Sequence, residues 1–422
     1  MAENPTNRFS EFRDGDPDEA KFFWSGGPVE VAERTWFQSQ LSGCVGFETD
    51  AGLVLVDTGT RFLAKTLAER LRERTQASIH TAIYTHGHVD HAFGLDQFLV
   101  PGQQRPRVVA HSAVLERFQR YEQTSGHNSV INARQFGGDA SAAAGGQYNL
   151  FEWPPIPPDT LYEDKLILEV GGLTFELHHC RGETDDHTWV YNPERGVLCP
   201  GDLFIYGVPN AGNPQKAQRY PWDWAKGLRE MATKNPVSLA PGHGGPVVND
   251  PAKIRRMLLE TAGFLDSIVE QTLAALNDGS PPHVDIVHAV KPPVSDSPWL
   301  FPIYDEAEFI VRNVIRYYGG WWSGRPSELK PAAREPLAQE IAALAGSAAA
   351  LATRARELHE KGESRLAGHL ADWALEADPD DPAAREAAAA IYDARARVED
   401  SLMAKNLFNS AAAYARAGKR FC

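Results

Sequence analysis

Four side chains able to bind metal lie within six residues of this sequence, in the motif His-Gly-His-Val-Asp-His at positions 86–91. Imidazole and carboxylate groups are the usual protein ligands of zinc and of other borderline divalent metals. The motif follows a mostly apolar run at 81–85. A strand that ends in a turn can direct His86 and His88 at one metal ion, and Asp90 and His91 at a second. Two neighbouring metal ions can activate water and hold an oxyanion, so the motif predicts a dinuclear metal centre.

The motif resembles the H-x-H-x-D-H pattern of the metallo-β-lactamase superfamily, whose members bring further ligands from distant loops. The resemblance implies a supporting aspartate after an earlier apolar strand, and Asp57 follows such a run. It implies a bridging aspartate after a later strand, which is Asp202 in Leu-Cys-Pro-Gly-Asp. It also implies a last histidine in a Gly-His turn, which is His243. The alternatives are that Asp57 is an ordinary turn aspartate, that His243 lies in a turn without binding metal, and that the motif at 86–91 is a histidine-rich surface loop.

One ligand position departs from the superfamily pattern. Where the family usually has Gly-His-Thr, residues 181–189 read Arg-Gly-Glu-Thr-Asp-Asp-His-Thr-Trp, so Glu183 stands in place of the histidine. A glutamate can bind zinc through oxygen, and the added carboxylate leaves iron or manganese open. We predict that Glu183 is the ligand and that His187 supports the site or faces the substrate. The rivals for the ligand role are His178, His179, Asp186 and His187.

The glutamate also suggests a branch of the superfamily, because alkylsulfatases use glutamate in place of this histidine. Residues 312–330 resemble the alkylsulfatase dimerisation domain, with an aromatic Gly-Trp-aromatic stretch followed by Gly-x-Pro. Residues 368–385 resemble the helical repeat of the same domain. The resemblance spans about residues 30–415 and implies a homodimer that acts on a sulfate ester.

The sequence departs from the sulfatases in three respects. Their bridging acid is a glutamate, whereas this chain has Asp202. Their sulfate-binding basic segment is not recognisable in residues 204–220, where Lys216 and Arg219 either hold an anion or lie in a solvated loop. Their additional lipid-carrier-like domain is not recognisable either. The architecture is therefore better supported than the substrate.

The composition is that of a globular protein. The 422 residues are enough for two substantial cores, and 43% hydrophobic and 23% charged residues are ordinary proportions. The net charge of −14 disfavours nucleic acid or an anionic membrane as a partner. The sequence has no apolar run long enough to predict a membrane span. Residues 1–21 are polar and lack the apolar core of a signal peptide, so we expect a cytoplasmic protein. The cysteines have no zinc-finger spacing and are Cys44, Cys180, Cys199 and Cys422.

The chain has two regions with different sequence patterns, a β-rich region followed by a helical one. Residues 28–248 contain short β-rich runs, with helical patterns at 62–74 and 111–121, which predicts a layered α/β sandwich. The β-rich runs are 29–31, 35–38, 45–49, 53–56 and 82–84. With the resemblance, this predicts an αββα catalytic domain over residues 1–250. Residues 135–158 read as an irregular loop, in which Phe151, Trp153 and Pro154 form either a wall over the site or a packed surface.

Residues 251–422 read as an all-α domain. Apolar residues recur at helix spacing, and the Asp-Pro pairs at 378–382 end one helix and begin the next. The helical segments are 254–276, 332–351, 352–360, 363–377 and 382–397. Such hairpins favour an appended packing or dimer domain. The aromatic residues at 317–322 either lie near the dimer interface and substrate channel, as the resemblance implies, or fill the core.

The motifs together predict a dinuclear metal hydrolase in which a metal-bound hydroxide attacks the substrate. Asp90 and Asp202 are the catalytic candidates. The first metal would be bound by His86, His88 and Glu183, the second by Asp90, His91 and His243, with Asp202 bridging. The residues expected to support the ligands or contact the substrate are Asp57, His187, Lys216 and Arg219.

The expected cofactor is a pair of divalent metal ions, with zinc first and iron or manganese as alternatives. The favoured substrate is a small sulfate ester with an alkyl or aryl tail. Within enzymes, the alternative is a lactone, thioester or amide hydrolase. From another class, the alternative is a di-iron redox protein, although no flavin or rubredoxin motif accompanies the site. A non-catalytic scaffold is disfavoured, because every ligand position holds a residue able to bind metal.

Overall fold

The computed structural model describes residue 22 and residues 24–138, 151–279 and 282–421. Packing divides these residues into two compact units. The larger unit holds the described residues within Thr6–Asn128 and Tyr148–Trp321. The smaller unit holds those within Ser129–Gln147 and Trp322–Cys422.

Two β-sheets form the centre of the larger unit. The strands of the first sheet follow one another in chain order: β1 (Gly26–Ala32), β2 (Thr35–Gln40), β3 (Ser42–Thr49), β4 (Gly52–Val56), β5 (Ile79–Ile83), β6 (Arg107–His111) and β7 (Thr160–Tyr162). The strands from β1 to β4 pair antiparallel, and those from β4 to β7 pair parallel. The sheet thus changes from hairpins to crossover connections at β4.

The second sheet has five strands and a single parallel pair. Its strands in chain order are β8 (Lys165–Val170), β9 (Leu173–His179), β10 (Thr188–Asn192), β11 (Val197–Ile205) and β12 (Ser238–His243). Only β11 and β12 pair parallel, and the other neighbours are antiparallel.

The two sheets pack face to face through alternate residues of their strands. Along β4, Val54 and Val56 belong to the core shared by both sheets, whereas Leu53 and Leu55 face the opposite side. Phe47 of the first sheet meets Phe175 of the second edge to face, with ring centroids 5.2 Å apart. This alternation makes a two-sheet sandwich whose outer faces must be covered by helices.

Helices cover both outer faces. They are α1 (Ala64–Arg72), α2 (Val89–Ala92), α3 (Ala113–Gln123), α5 (Pro221–Thr233), α6 (Pro251–Asn277), α7 (His283–Ala289) and α8 (Ala307–Gly319). Helix α4 (Ser125–Gln135) begins in the larger unit, and its residues from Ser129 onward belong to the smaller one. Short 3-10 helices lie at Leu95–Phe98 and Pro298–Leu300. Helices α1 and α3 pack on the first sheet, and α5, α6 and α8 pack on the second. The predicted αββα sandwich is confirmed.

The predicted boundary at residue 250 falls inside the larger unit, which continues to Trp321. Helix α6 explains this grouping, because its buried face joins the core on the outer side of the second sheet. Ile254 and Leu258 of α6 share that core with Trp224 and Leu228 of α5. Burying these side chains makes α6 part of the sandwich.

The smaller unit contains the remaining helices, of which α10 to α14 pack through alanine-rich faces and the short α9 is exposed. They are α9 (Pro326–Leu329), α10 (Arg334–Ala345), α11 (Ala348–Glu360), α12 (Ser364–Ala377), α13 (Pro382–Val398) and α14 (Leu402–Arg416). The predicted helix at 332–351 is instead interrupted after Ala345. Gly346 takes a φ of 101°, and the Ser347 side chain accepts a hydrogen bond from the Ala350 N–H, so one helix ends and another begins.

Part of the segment 135–158, predicted to be an irregular loop, lies outside the described residues, as does Cys422. Residues 151–158 form neither helix nor strand, and Phe151 is buried against Tyr121. Cys44, Cys180 and Cys199 are free thiols. Among the helices that the structure describes, none is both long and apolar enough to cross a membrane.

Candidate metal centre

The candidate ligands gather where parallel strands end. Asp57 follows β4, and the motif that starts at His86 follows the neighbouring parallel strand β5. His243 ends β12, which pairs parallel with β11, where Asp202 lies. Because parallel strands point the same way, their carboxyl ends lie at one edge of a sheet. Asp202 lies within β11 rather than after it, next to a register shift at Gly201.

The first group of candidate ligands contains two imidazoles and two carboxylates, with ligand atoms all within 4.8 Å of one another: His86, His88, Glu183 and Asp202. The Nε2 of His86 lies 2.8 Å from the Nδ1 of His88. The Oε2 of Glu183 lies 3.7 Å from that Nε2 and 3.5 Å from that Nδ1. The Glu183 position inferred from the superfamily pattern therefore faces both histidines of the motif.

The second group consists of Asp90, His91 and His243, with ligand atoms equally close together. The Oδ2 of Asp90 lies 3.7 Å from the Nε2 of His91 and 3.5 Å from the Nε2 of His243. Asp202 lies between the two groups. Its Oδ1 is 3.1 Å from the Nε2 of His91, and its Oδ2 is 3.3 Å from the Nε2 of His243 and 3.9 Å from the Nε2 of His86.

Hydrogen bonds around Asp57 orient two of the imidazoles. The Thr85 N–H and hydroxyl donate to Asp57 at 2.8 Å each, so the Thr85 hydroxyl is left to accept from the Nδ1 of His86 at 3.0 Å. The Nδ1–H of His91 donates to the Oδ2 of Asp57 at 2.7 Å. Both rings therefore point their Nε2 atoms toward the centres of the two ligand groups. Residues that hydrogen bond to the other ring nitrogen commonly orient metal-binding histidines in this way.

His243 is oriented by the backbone and by aromatic stacking. Its Nδ1–H donates to the Leu41 carbonyl oxygen at 2.8 Å, which leaves Nε2 for the second group. The ring of Phe22 stacks on the His243 imidazole with centroids 4.9 Å apart, and the Tyr304 ring stacks on Phe22 with centroids 5.2 Å apart. Phe22 and Tyr304 were not singled out from the sequence.

The two oxygens of Glu183 have different surroundings. The Nδ2 of Asn210 donates to Oε1, and the Nη1 of Arg219 lies 3.4 Å from the same oxygen. The Nη1 of Arg219 also donates to the Glu183 carbonyl oxygen. The side chain of Glu183 is thereby held through one oxygen, while Oε2 points at His86 and His88.

Buried polar atoms without hydrogen bonds mark the centre of the site. Among the described residues, the Nε2 of His91, the Oε2 of Glu183 and the Oδ1 of Asp202 are buried and accept or donate no hydrogen bond. Leaving such groups unsatisfied is costly, and a cation at their centre would satisfy all of them. The donor set of imidazole nitrogens and carboxylate oxygens fits divalent metal ions of the zinc class.

The electrostatics of the metal-free chain are those of crowded, buried charges. Burial raises the pKa of Glu183 well above its ordinary value, and the negative charge of Asp202 adds to this effect. Burial would also raise the pKa of Asp202, but His243 and His91 hold it well below its ordinary value. Burial lowers the pKa of His86 and of His88 well below that of free imidazole. Neutral imidazole is the form that binds metal.

The charged form of the imidazole is favoured at His91 and His243 in the metal-free chain. Burial would lower the pKa of His91, but the carboxylates of Asp202, Asp90 and Asp57 raise it well above its ordinary value. Burial is likewise outweighed at His243, where Asp202 and Asp90 raise the pKa to about 9. Positive imidazolium groups therefore balance the cluster of acids when no metal is bound.

A buried ion pair supports the turn of the first motif. The Oδ2 of Asp186 accepts a hydrogen bond of 2.7 Å from the Gly87 N–H, between His86 and His88. Its Oδ1 accepts one of 2.7 Å from the Nε of Arg117. Neither role was predicted. A signal existed for Arg117, since it lies on the apolar face of α3 between the buried Val114 and Phe118, where a charge needs a buried partner.

The rivals of Glu183 lie outside both groups of ligand atoms. His178 stacks on Trp189 with centroids 3.9 Å apart, and His179 donates through Nδ1 to the His187 carbonyl oxygen at 3.0 Å. His187 uses both ring nitrogens: Nδ1–H donates to the Thr188 carbonyl oxygen, and Nε2 accepts from the Asp202 N–H, each at 3.1 Å. His187 thus contacts the site without a free nitrogen for a metal.

The two candidate anion-binding residues differ in their contacts. Arg219 is buried and engaged with Glu183. Lys216 is partly buried, and its ammonium lies 5.7 Å from the centre of the Phe151 ring. Burial lowers the pKa of Lys216 to about 7, and the positive charge of Arg219 adds to this effect. The negative charges of Glu183 and Asp90 act in the opposite direction and raise the pKa of Lys216.

Comparison with known proteins agrees with this geometry. Residues 42–243 match the metallo-beta-lactamase superfamily, and residues 283–418 match the alkyl sulfatase dimerisation family. A linear primary-alkylsulfatase of a Pseudomonas species is 27% identical, over 80% of this chain and 67% of the relative. The alkyl/aryl-sulfatase BDS1 of Saccharomyces cerevisiae is 25% identical, over 82% of this chain and 57% of the relative.

A solved structure shares the fold over most of the chain. The stereoselective inverting sec-alkylsulfatase Pisa1 of a Pseudomonas species superposes with a TM-score of 0.82 at 22% identity, covering 92% of this chain and 65% of Pisa1. The chain thus spans between 57% and 67% of the length of these relatives. Its fold, its ligand positions and both matched regions agree: the chain carries a metallo-β-lactamase superfamily domain and an alkyl sulfatase dimerisation domain, and the relatives that it matches are alkylsulfatases.

Proposed function

We propose that this protein is a metal-dependent hydrolase that cleaves the sulfate ester of an alkyl or aryl alcohol. The observation that carries the proposal is the buried pair of ligand groups that meet at Asp202, with unsatisfied ligand atoms at their centre. The similarity to alkylsulfatases supports a sulfate ester as the substrate.

The proposed ligands of the first metal ion are His86, His88 and Glu183, and those of the second are Asp90, His91 and His243, with Asp202 shared. When bound, two such ions lower the pKa of water and neutralise charge that develops on the ester. Three of the proposed ligands at the two sites offer an imidazole Nε2 and one an Nδ1, which favours zinc, while the carboxylates are compatible with manganese or iron.

The chain itself contributes orientation and charge. Asp90 and Asp202 are the proposed catalytic residues, because the Oδ2 of each faces the Nε2 of His243 at the centre of the site. Lys216 is the proposed contact for the sulfate group, since its ammonium interacts electrostatically with the ligands Glu183 and Asp90, while Arg219 is engaged with Glu183. A cation at this place favours an anionic ester over a neutral lactone or thioester.

The decisive experiment combines metal analysis with a substrate panel. Protein purified in metal-replete buffer without chelator is expected to hold about two ions per chain and to release inorganic sulfate from linear alkyl or aryl sulfates. A chain carrying both His86→Ala and His88→Ala serves as the inactive control. At most one ion per chain would contradict the dinuclear centre. Turnover of a lactone, thioester or amide without turnover of any sulfate ester would contradict the substrate class.

We also propose that the chain forms a homodimer through the region beyond residue 251, which the match of residues 283–418 to a dimerisation family supports. The exposed side chains of Tyr317, Tyr318 and Trp321 are consistent with a surface that becomes covered. The cytoplasmic location and the preference for zinc stay predictions.

A further inference from the structure

The carboxylate of Glu183 depends on a loop that has no regular structure of its own. The residues that hold its Oε1, Asn210 and Arg219, both lie in the segment between β11 and α5, residues 206–220, here called the β11–α5 loop. Loops without ladder hydrogen bonds are mobile unless other groups satisfy their backbone. What fixes this loop therefore decides where Oε2 of Glu183 points.

A single buried carboxylate holds the middle of the loop. The Oδ2 of Asp305, which is fully buried, accepts hydrogen bonds from the Gly212 N–H at 2.6 Å and from the Asn213 N–H at 3.2 Å. Its Oδ1 accepts from the Glu306 N–H at 2.7 Å. The Nδ2 of Asn213 donates to the Oδ1 of Asn210 at 3.4 Å, which leaves the Asn210 amide group free to donate to Glu183.

A buried amide on α8 holds the end of the loop. The Nδ2 of Asn313 donates to the Arg219 carbonyl oxygen at 2.9 Å, and its Oδ1 accepts from the Arg219 N–H at 3.4 Å. The same Oδ1 accepts from the side chain of Gln218 at 3.1 Å. One side chain thus fixes both backbone groups of Arg219, the residue whose guanidinium holds Glu183.

Close packing leaves the loop little room to move away from these partners. A Cβ at Gly212 would lie 2.4 Å from the backbone carbonyl carbon of Phe309 in α8, so only glycine allows this approach. Upstream, the Val208 N–H donates to the Phe301 carbonyl oxygen at 2.9 Å. The loop is therefore seated on residues 299–313 along its length.

We propose that Asp305 and Asn313 are positioning residues for the first metal site: they fix the β11–α5 loop so that Asn210 and Arg219 hold Oε1 of Glu183 and leave Oε2 to the metal. The inference rests on the proposed function only in taking Glu183 as a metal ligand. Asp305 and Asn313 lie in the N-terminal part of residues 283–418, which match the dimerisation family. By this proposal, that part completes the metal site of residues 42–243, which match the metallo-beta-lactamase superfamily.

The test is a stepwise titration of metal-free full-length protein with Zn²⁺ against a chromogenic chelator, which yields two dissociation constants. In Asp305→Asn and in Asn313→Leu, the site that Glu183→Gln weakens is expected to bind about 10–100-fold more weakly, as for other residues that orient ligands. The second site serves as an internal standard and should keep its affinity. The matched control is Arg312→Gln, an exposed neighbour of Asn313 on α8 that should leave both constants unchanged.

A double variant separates positioning from general damage. Asp305→Asn added to Glu183→Gln should weaken the first site no further, because both changes act through one carboxylate. If Asn313→Leu does not fold, Asn313→Asp retains an acceptor for the Arg219 N–H but loses the donor to its carbonyl oxygen, and should show a smaller loss.

Equal weakening of both sites, or none at either, would overturn the inference while leaving the metal centre intact. Wild-type protein that binds fewer than two Zn²⁺ ions would instead overturn the metal centre, and the inference with it. The two failures are therefore distinguishable in the same titration, without any measurement of turnover.

Discussion

The two halves of the candidate metal centre are supported by different parts of the fold. The second group is held by the sandwich itself, since Asp57 at the end of β4 orients His91 and the carbonyl of Leu41 orients His243. The first group takes a ligand, Glu183, whose orientation depends on the β11–α5 loop and, through it, on Asp305, which lies 93 residues beyond Gly212.

The two metal positions therefore depend on two kinds of support, strand ends and a loop. Strand ends fix ligands through short-range geometry that any intact sandwich retains. A loop fixes a ligand only as long as its tertiary contacts are made, so it is the part that changes of sequence can alter most freely. We therefore expect the two metal positions to respond separately to substitution.

The largest separate effect is expected from Glu183→Gln. Asn210 and Arg219 donate to one oxygen, so a glutamine would turn its carbonyl oxygen toward them and its NH2 group toward the metal. The first site should lose its ion, and turnover should fall by about 100-fold or more, beyond the effect typical of outer residues. Elemental analysis and sulfate release measure both.

His187→Ala is the matched control for that change. Both ring nitrogens of His187 are already hydrogen bonded to the backbone, so the variant should keep two ions and retain turnover within about tenfold of wild type. Loss of an ion in His187→Ala but not in Glu183→Gln would show that the ligand assignment in residues 181–189 is wrong.

A smaller effect, largest in the other half, is expected from Asp57→Asn. Asparagine tolerates the positive φ of 57° at this position, but it presents one acceptor oxygen, whereas the Thr85 N–H bonds to Oδ1 and both the Thr85 hydroxyl and His91 bond to Oδ2. The second site, whose His91 bonds to Asp57 directly, should bind its ion about 10–100-fold more weakly, and the first site, whose His86 is reached only through Thr85, should weaken less. Competition titration with Zn²⁺ measures this, and weakening confined to the first site would contradict the comparison.

The smallest effect is expected from Lys216, which supports neither half. Its pKa of about 7 is lowered by burial, so the ammonium is protonated below pH 7 and neutral above it. If it binds the sulfate group, KM should rise roughly tenfold as the pH passes from 6 to 8, and Lys216→Gln should show the higher KM throughout. Lys216→Arg keeps its charge and should flatten the profile; an unchanged pH dependence of KM in Lys216→Gln would refute the role.

The sequence was sufficient for the second half of the centre. Asp90 and His91 lie in one contiguous motif. The resemblance implied Asp57 and His243, and each of them follows or ends an apolar run that can be recognised as a strand. Because strand ends meet at a sheet edge, these runs agree with the residues that the resemblance implied. Glu183 was also reached through the family pattern, but its own stretch has several acids and histidines, which left rivals for the ligand role.

The supports of the first half could not be predicted in this way. Asn210 and Asp305 are ordinary polar residues, and their contacts join segments far apart in the chain. A residue that matters through one hydrogen bond to a segment far away in the chain leaves no periodic pattern in the sequence. The helix break at Gly346 was also missed, although Gly-Ser is a recognisable end and cap, because the alanine-rich pattern runs through it.

The crowded charges of the metal-free centre have a thermodynamic consequence. Although burial opposes it, the carboxylates raise the pKa of His243 to about 9 and that of His91 well above its ordinary value, so protons are favoured on imidazole nitrogens that a metal must occupy, and burial raises the pKa of Glu183 in the same direction. Each ion that binds must displace protons into the buffer, and each proton released makes the apparent affinity fall about tenfold per unit of acidification. The heat of metal binding will therefore include the ionisation enthalpy of whichever buffer receives those protons.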